Sequence, residues 1–221
     1  MPTRKRLSTA FTLVELLVVI SIIGLLAGLV VPTLGKASQS ADRAKCTSNM
    51  RQLSSLYLTM VAGQDGVLVD ASDPNATTWY NQLVNNNYLN ATNMAAYINL
   101  SCPSALAAMK KLGYTYTVNR CSYGLNSSVG TAPAATRIAQ LTKPSATLLL
   151  GDGPRVGKND GFTIGINYGG NSITSYHNDN CAITYFDGHA ELVDQAFVTK
   201  MKQKANINTQ GSEESFFWKG Y

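Results

Sequence analysis

The feature that most constrains this chain is an apolar run close to its start. From Leu16 to Val31 there is no charged residue, and only one serine and two glycines interrupt a series of Leu, Val, Ile and Ala. Residues 11–31 cover 21 positions, close to the roughly 20 residues that a helix needs to cross the hydrocarbon core of a bilayer. We therefore expect a transmembrane helix over residues 11–31.

A short basic segment precedes this run and predicts its orientation. Arg4, Lys5 and Arg6 lie before the first apolar residues, and a positive flank stays in the cytoplasm. The sequence thus predicts a single-pass protein of the inner (cytoplasmic) membrane. The residues after Val31 are expected on the periplasmic or extracellular side.

Glu15 is the residue that an ordinary membrane anchor does not explain. A carboxylate near the start of a membrane helix is costly, so it indicates a function and needs a partner. A secretory signal peptide would carry its small residue after the apolar run, whereas Ala10 precedes the run. A plain anchor accounts for the length but gives no reason for Glu15.

The segment Ala10-Phe-Thr-Leu-Val-Glu15 resembles the cleavage and methylation signal of type IV prepilins. The resemblance implies cleavage by a prepilin peptidase between Ala10 and Phe11, N-methylation of Phe11, and retention of the apolar helix. Glycine is usual before the cut, so Ala10 predicts slower processing. Pro32 falls where many pilins carry a helix-kinking proline. Glu15 and Pro32 are therefore expected to act in assembly.

The chain is divided by these features into a leader, a helix and a globular domain. Residues 1–10 form the cytoplasmic leader. Apolar residues continue at helical spacing as far as Val61, and Gly63 supplies the stop, which predicts one helix over residues 11–62. Residues 63–221 are the exported domain. The fold class is α+β, with the second half of the helix packed on an antiparallel sheet in a pilin-like arrangement.

The net charge gives no support to nucleic-acid binding. The chain carries +5, but the leader holds three of the 18 basic residues, which leaves 15 against 13 acidic ones. A nearly balanced mature chain lacks the electrostatic attraction that phosphate backbones require.

A strand-turn-strand pattern ends the recognisable part of the sequence. Asp187-Gly188 separates residues 181–186 from residues 190–193, and Asp-Gly between two such runs favours a hairpin. His177 lies ten positions before Asp187. This resembles the His-x9-Asp-Gly signature of a large group of prepilin-type proteins. Other landmarks of that group follow in the same order: Lys45 to Leu53, Cys102 to Ser104, Ser122 to Asn126, Arg137-Ile138, Pro144 to Thr147 and Gly151-Asp152.

Two sets of residues could carry chemistry, and a structural interpretation is favoured for both. His177, Asp187 and His189 have no nucleophile or second carboxylate at catalytic spacing. Asp187 is expected to cap its own turn, and His177 to donate to a loop carbonyl. Asp152, Asn159, Asp160 and Asp179 offer oxygen ligands, and some type II secretion pseudopilins bind calcium in C-terminal loops. These acids lack EF-hand spacing, so calcium stays an open expectation, no other cofactor is expected, and no catalytic residue is assigned.

The four cysteines, Cys46, Cys102, Cys121 and Cys181, leave three interpretations open. An even number in an oxidising compartment favours two disulfides over four buried thiols. Zinc is disfavoured, and no metal site is assigned, because no two cysteines have C-x-x-C spacing and neither histidine is beside one. The landmarks of the resembled group imply the pairing Cys46–Cys102, which leaves Cys121–Cys181.

The aromatic stretch Ser215-Phe-Phe-Trp218 is expected to pack on the domain as a strand or plug, rather than to form an exposed partner site.

The function implied by the resemblance is that of a structural subunit, not an enzyme. The chain would be a pilin, or a pseudopilin of a type II secretion system, that joins copies of itself or related pilins through its helix. Its partners would be the prepilin peptidase, the inner membrane and the assembly machinery. The alternatives are an anchored exported adhesin, ligand-binding domain or enzyme. A concave pocket containing His177 and Asp187 would favour the latter two.

Overall fold

The computed structural model describes residues 12–68, 79–90, 98–111, 113, 122–129, 136–153, 163–164, 173–202 and 211–220. The chain forms two compact units that divide after Ala41. The aromatic and β-branched residues 114–118 predict a strand, and Thr77 and Thr78 are candidate caps of a short helix, but these residues lie outside the described ones.

The first helix, α1 (Leu13–Gly63), is 51 residues long and confirms the predicted stop. Its first part contains the stretch that is long and apolar enough to cross a membrane. The large apolar side chains between Leu13 and Leu34 are 45–79% exposed. Apolar side chains all round a helix require a non-aqueous environment. This part therefore fits a single-pass membrane anchor.

The second part of α1 buries one face in the core of the folded unit. The buried residues recur every three or four positions, as expected for one face of a helix: they are Cys46, Asn49, Met50, Leu53, Ser54, Tyr57, Met60 and Val61. The helix ends in a turn in which Asp65 and Gly66 both have positive φ angles. This turn comes directly after Gly63, the predicted stop.

The described strands form one sheet in the order β3-β1-β2-β4-β5. These strands are β1 (Tyr123–Asn126), β2 (Leu148–Asp152), β3 (Thr163–Ile164), β4 (Asn180–Tyr185) and β5 (Ala190–Asp194). The pairs β1–β2, β2–β4 and β4–β5 are antiparallel, whereas the two-residue β3 runs parallel to β1. The long helix and this sheet give the predicted α+β, pilin-like layout.

The predicted hairpin is formed by β4 and β5. Cys181 pairs with Val193 and Thr184 with Ala190, and Gly188 in the turn has φ +89°. Only glycine adopts such a φ at little cost, which is why the Asp-Gly pair predicted this turn.

Side chains of β4 alternate between two apolar clusters. Ala182 lies in the cluster that contains the second part of α1, together with Leu149, Leu150 and Trp79 of α2 (Trp79–Asn85). Cys181, Ile183 and Tyr185 lie in the other cluster. Since alternate side chains of a strand point to opposite faces, the sheet is covered on both sides.

The second cluster is closed by two short helices near the end of the chain, α4 (Gln195–Met201) and α5 (Glu213–Lys219). Phe217 and Trp218 of α5 are 2% and 0% exposed. The aromatic stretch thus packs on the domain as predicted, but in a helix rather than a strand. Ser212 accepts from the Ser215 N–H and supplies the N-cap that starts this helix.

Candidate functional site

The start of α1 places Glu15 in a reciprocal pair of hydrogen bonds with Thr12. The Glu15 carboxylate accepts from the Thr12 backbone N–H at 2.9 Å and from its hydroxyl at 2.7 Å. In return, the Thr12 hydroxyl accepts from the Glu15 N–H at 3.3 Å. This is a capping box, which satisfies backbone donors that a helix N-terminus leaves free. Glu15 therefore has a local structural partner, which the sequence analysis did not anticipate.

The other residues assigned to processing and assembly are Ala10, Phe11 and Pro32. Ala10 and Phe11 lie outside the described residues. Pro32 lies inside α1, where it cannot donate a hydrogen bond to the carbonyl four residues earlier.

A second candidate site lies in the core of the folded unit, where four potential metal ligands meet. Cys46, Cys102, Asp152 and His177 each direct one ligand atom to a common position, and these atoms all lie within 4.8 Å of one another. Cys46, Cys102 and Asp152 are 0% exposed and His177 is 3% exposed. Such a set of buried polar groups requires partners or a bound ion.

Each of the four residues is held in place by a different element. Cys46 belongs to the buried face of α1, and Asp152 is the last residue of β2. Cys102 immediately precedes α3 (Pro103–Lys111), and its backbone N–H donates to the Ser122 hydroxyl at 2.7 Å. His177 forms a backbone bridge with Asn180, the first residue of β4.

The turn between His177 and Asn180 explains why the chain delivers the histidine to this position. Asn178 and Asp179 have φ angles of 49° and 61°, and Asn and Asp tolerate the left-handed conformation better than most residues. The Asn180 side chain donates to the carbonyls of His177 and Asn178 and fixes the turn.

Direct contacts link the four residues to one another. The Cys46 thiol donates to Asp152 Oδ1 at 3.3 Å. Cys102 Sγ lies 3.4 Å from His177 Nε2, which is 3.7 Å from Asp152 Oδ2. The backbone N–H of Ala182 donates to Asp152 Oδ2 at 2.7 Å. The cluster is therefore continuous.

The surroundings shift the acid–base properties of the cluster. The neighbouring Cys46 thiol lowers the pKa of Cys102 to about 5, and the contact with His177 and the backbone N–H of Ala105 act in the same direction, against burial. The contact with Cys102, followed by burial, raises the pKa of Cys46. Cys102 is thus the thiol that ionises first, as expected for a cysteine at a helix N-terminus.

Burial raises the pKa of Asp152 to about 8, and the charge of Cys102 adds to this shift. For His177, burial alone lowers the pKa, but the hydrogen bond to Cys102 and the charges of Asp152 and Cys102 outweigh it, so the pKa is raised. The protonation of both the carboxyl and the imidazole therefore depends on the charge of Cys102.

The second half of the His-x9-Asp-Gly pattern lies at a different place. Asp187 accepts from the His189 N–H at 3.1 Å, which confirms that it caps its own turn. Its carboxylate is 2.5 Å from His189 Nδ1, and the His189 ring stacks on Tyr185. The predicted contact of His177 with a loop carbonyl is wrong for its side chain, because the described partners of the ring are Cys102, Ser104 and Asp152.

Three of the four cysteines lie in described residues. Cys46, Cys102 and Cys181 carry free thiols in the structure. Cys46 and Cys102, the first predicted pair, do meet, so their disulfide stays a prediction. Cys121 lies outside the described residues, and its pairing with Cys181 is likewise untested. Cys181 contacts the Gln195 side chain.

Of the four candidate calcium ligands, two lie in described residues. Asp152 is buried in the cluster, Asp179 lies in the turn before β4, and Asn159 and Asp160 lie outside the described residues.

The Cys-Asp-His cluster could not be found from sequence spacing. Its closest members, Asp152 and His177, are 25 positions apart, and the other intervals are longer. The usable signal was indirect, because Cys46, Cys102, Asp152 and His177 each belong to one of the landmarks of the resembled group.

Comparison with known proteins concerns the start of the chain. Residues 5–31 match the family model described as the prokaryotic N-terminal methylation motif. The chain carries the type IV prepilin-like signature. No curated protein and no solved structure matches the chain.

The prepilin-like signature covers Lys5 and Arg6 of the basic segment, Glu15 and the apolar run as far as Val31. It supports a type IV pilin-like or pseudopilin family, and it implies processing by a prepilin peptidase and pilus assembly in general. Together with the apolar helix, it fits a single-pass membrane-anchored protein.

Proposed function

We propose that this protein is a structural subunit of a type IV pilus-like or type II secretion pseudopilus filament. It would be inserted in the inner membrane with its folded domain outside, cut between Ala10 and Phe11, and assembled through the first part of α1. The observation that carries this proposal is the prepilin-like signature at residues 5–31, followed without a break by a helix that enters a folded domain.

Glu15 supplies the assembly mechanism. After cleavage, the amine of Phe11 becomes a cation at the head of α1, four positions before the Glu15 carboxylate. In a filament, the amine of an incoming subunit would meet Glu15 of a neighbour inside an apolar bundle. An unpaired charge there costs about 3–5 kcal/mol, which penalises subunits out of register.

The contacts of Glu15 define a competing explanation. The capping box with Thr12 stabilises the helix start within one subunit and needs no neighbour. Glutamine can replace glutamate in a capping box but carries no charge. Glu15→Gln therefore separates the two roles, whereas Glu15→Leu removes both.

The experiment is a competition between wild-type and variant subunits. Each variant is co-expressed with the wild type, and the ratio of the two forms is measured by mass spectrometry in membranes and in sheared filaments. We expect Glu15→Leu and Glu15→Gln to be inserted and largely processed, yet depleted in filaments by a similar factor. If Glu15→Gln enters filaments as well as the wild type, the carboxylate charge has no role in assembly.

A surface cavity bears on the alternative of an exported ligand-binding domain or enzyme. A cavity of about 450 Å³ is lined by residues that include Tyr185, His189, Glu191 and Phe217. Neither His177 nor Asp187 is among its lining residues. This cavity therefore does not provide the sign that would favour an enzyme or a ligand-binding domain, which is a pocket containing both residues.

A further inference from the structure

The buried Cys-Asp-His cluster has the composition of a structural zinc site. Zinc in proteins is bound by cysteine sulfur, histidine nitrogen and carboxylate oxygen, and its structural sites have four protein ligands. Cys46, Cys102, Asp152 and His177 provide these three ligand types and this number. We propose that the four residues bind one Zn²⁺ ion.

The distances in the cluster agree with tetrahedral coordination. With metal–ligand bonds of about 2.0–2.3 Å, the ligand atoms of a tetrahedral zinc site lie roughly 3.3–3.8 Å apart. Cys46 Sγ lies 3.3 Å from Asp152 Oδ1 and Cys102 Sγ lies 3.4 Å from His177 Nε2, while His177 Nε2 is 3.7 Å from the other Asp152 oxygen, Oδ2. The four ligand atoms all lie within 4.8 Å of one another, so the longest separations would shorten by up to about 1 Å when the ion binds.

The histidine is oriented as a zinc ligand should be. A zinc-bound imidazole coordinates through one nitrogen and donates its other N–H to a fixed acceptor. His177 directs Nε2 to Cys102 and Asp152, and its Nδ1 lies 3.3 Å from the Ser104 hydroxyl. With Nδ1 donating to Ser104, the lone pair of Nε2 points into the cluster.

The other ligands are also supported by contacts outside the set. The Tyr123 hydroxyl donates to the Cys46 carbonyl at 3.2 Å and lies 3.5 Å from its sulfur. Ala182 N–H holds one oxygen of Asp152. Two thiolates and a carboxylate bound to Zn²⁺ would leave the site with one negative charge. Arg43, one turn before Cys46, carries a positive charge that interacts with His177 and would offset that charge.

The position of the cluster indicates what the ion would do. Its ligands come from α1, the start of α3, the end of β2 and the segment before β4, so one ion would join the helix to the sheet. Because all four positions are occupied by buried protein ligands, the site is closed to substrate. Its role would be to stabilise the fold rather than to catalyse a reaction.

A disulfide between Cys46 and Cys102 is the competing state, since it would remove both sulfur ligands. Zinc binding and this disulfide cannot coexist. The disulfide would also leave the fully buried Asp152 without the thiol that now donates to it. The zinc site gives every member of the cluster a partner, which is why we favour it.

The test uses the full chain purified in detergent micelles without added chelator. Elemental analysis is expected to give one zinc per chain, and Cys181→Ser, which removes a buried thiol outside the cluster, should retain it. Cys102→Ser should lose the metal. Ser104→Ala, which removes only the acceptor for His177, should weaken zinc binding about 10- to 100-fold.

A second measurement covers the case in which Cys102→Ser does not fold. Wild-type protein is stripped with a chelator, and Co²⁺ or Zn²⁺ is added back. Cobalt is expected to give the absorption bands of a tetrahedral thiolate site, and zinc should raise the unfolding temperature. Failure of stripped, reduced protein to bind either ion would overturn the proposal. So would purified protein that contains no zinc and in which Cys46 and Cys102 resist alkylation until a reductant is added.

Discussion

The two parts of α1 belong to one continuous helix but differ in how their side chains are buried. Before Ala41 the large apolar side chains are exposed all round, whereas after Asp42 one face is buried and includes the polar residues Asn49 and Ser54. The first part thus needs a solvent or partner outside the subunit, and the second finds its partners within the domain. One helix can therefore contain both an apolar segment that needs partners outside the subunit and a segment that forms part of the domain core.

The largest expected effect comes from truncating a leucine in each part. Leu53 is 0% exposed in the core, so Leu53→Ala should lower the free energy of unfolding of the domain by about 2–5 kcal/mol. Leu26, in the first part, is 54% exposed, so Leu26→Ala should change it by less than about 0.5 kcal/mol. Denaturation followed by the fluorescence of Trp79 and Trp218, both buried in the domain, measures the difference. Equal losses for the two variants would contradict the comparison.

A pair of serines, one in each part of α1, tests the same difference with a smaller expected loss of stability. The Ser54 and Thr184 hydroxyls form a buried hydrogen bond at 2.7 Å that joins α1 to β4. Ser54→Ala should cost about 1–3 kcal/mol, because Thr184 would lose a partner in the core. Ser21 donates only to the Leu17 carbonyl of its own helix, so Ser21→Ala should leave domain stability unchanged. The same fluorescence assay applies, and a neutral Ser54→Ala would remove this bond from the account.

The smallest effect is expected at the hairpin turn beside the second part of α1. Arg51 donates to the Ala190 carbonyl at 3.2 Å, which ties the helix to the start of β5. Asp187→Ala removes the acceptor for the His189 N–H and should destabilise the domain by about 1 kcal/mol. Asp187→Asn keeps an oxygen acceptor and should lose less. An Asp187→Ala protein as stable as the parent would show that the carboxylate does not support the turn.

Much of the fold could be predicted because local rules and global packing agree. The apolar periodicity predicted where α1 buries its face, and Gly63 predicted its end. Asp187-Gly188 predicted the hairpin. The short apolar run at residues 147–151 is itself typical of a buried strand, and β2 differs from it by one residue. In each case the signal lies within a few positions of the element that it specifies.

The aromatic stretch and the buried cluster show why other features could not be predicted. Residues 215–218 have strand-forming side chains, but the N-cap Ser212 and the cover that Phe217 and Trp218 give to the sheet favour a helix. The cluster needs four distant segments to converge, and spacing rules apply only to ligands on neighbouring turns or loops. Glu15 was identified by its unusual position, and the Thr-x-x-Glu spacing from Thr12 is a signal for their hydrogen bonds that the sequence analysis did not use.

The most direct test of the account is the mass of the amino terminus of protein isolated from membranes. If the first part of α1 is a processed prepilin segment, intact-mass and fragment spectra should show a chain that begins at Phe11 with a methylated amine and retains the apolar helix. Slower cleavage after Ala10 would leave a minor fraction of uncut chain. A mature protein that keeps the whole leader, or one cut beyond Val31 in the manner of a secretory signal peptide, would contradict the proposed function.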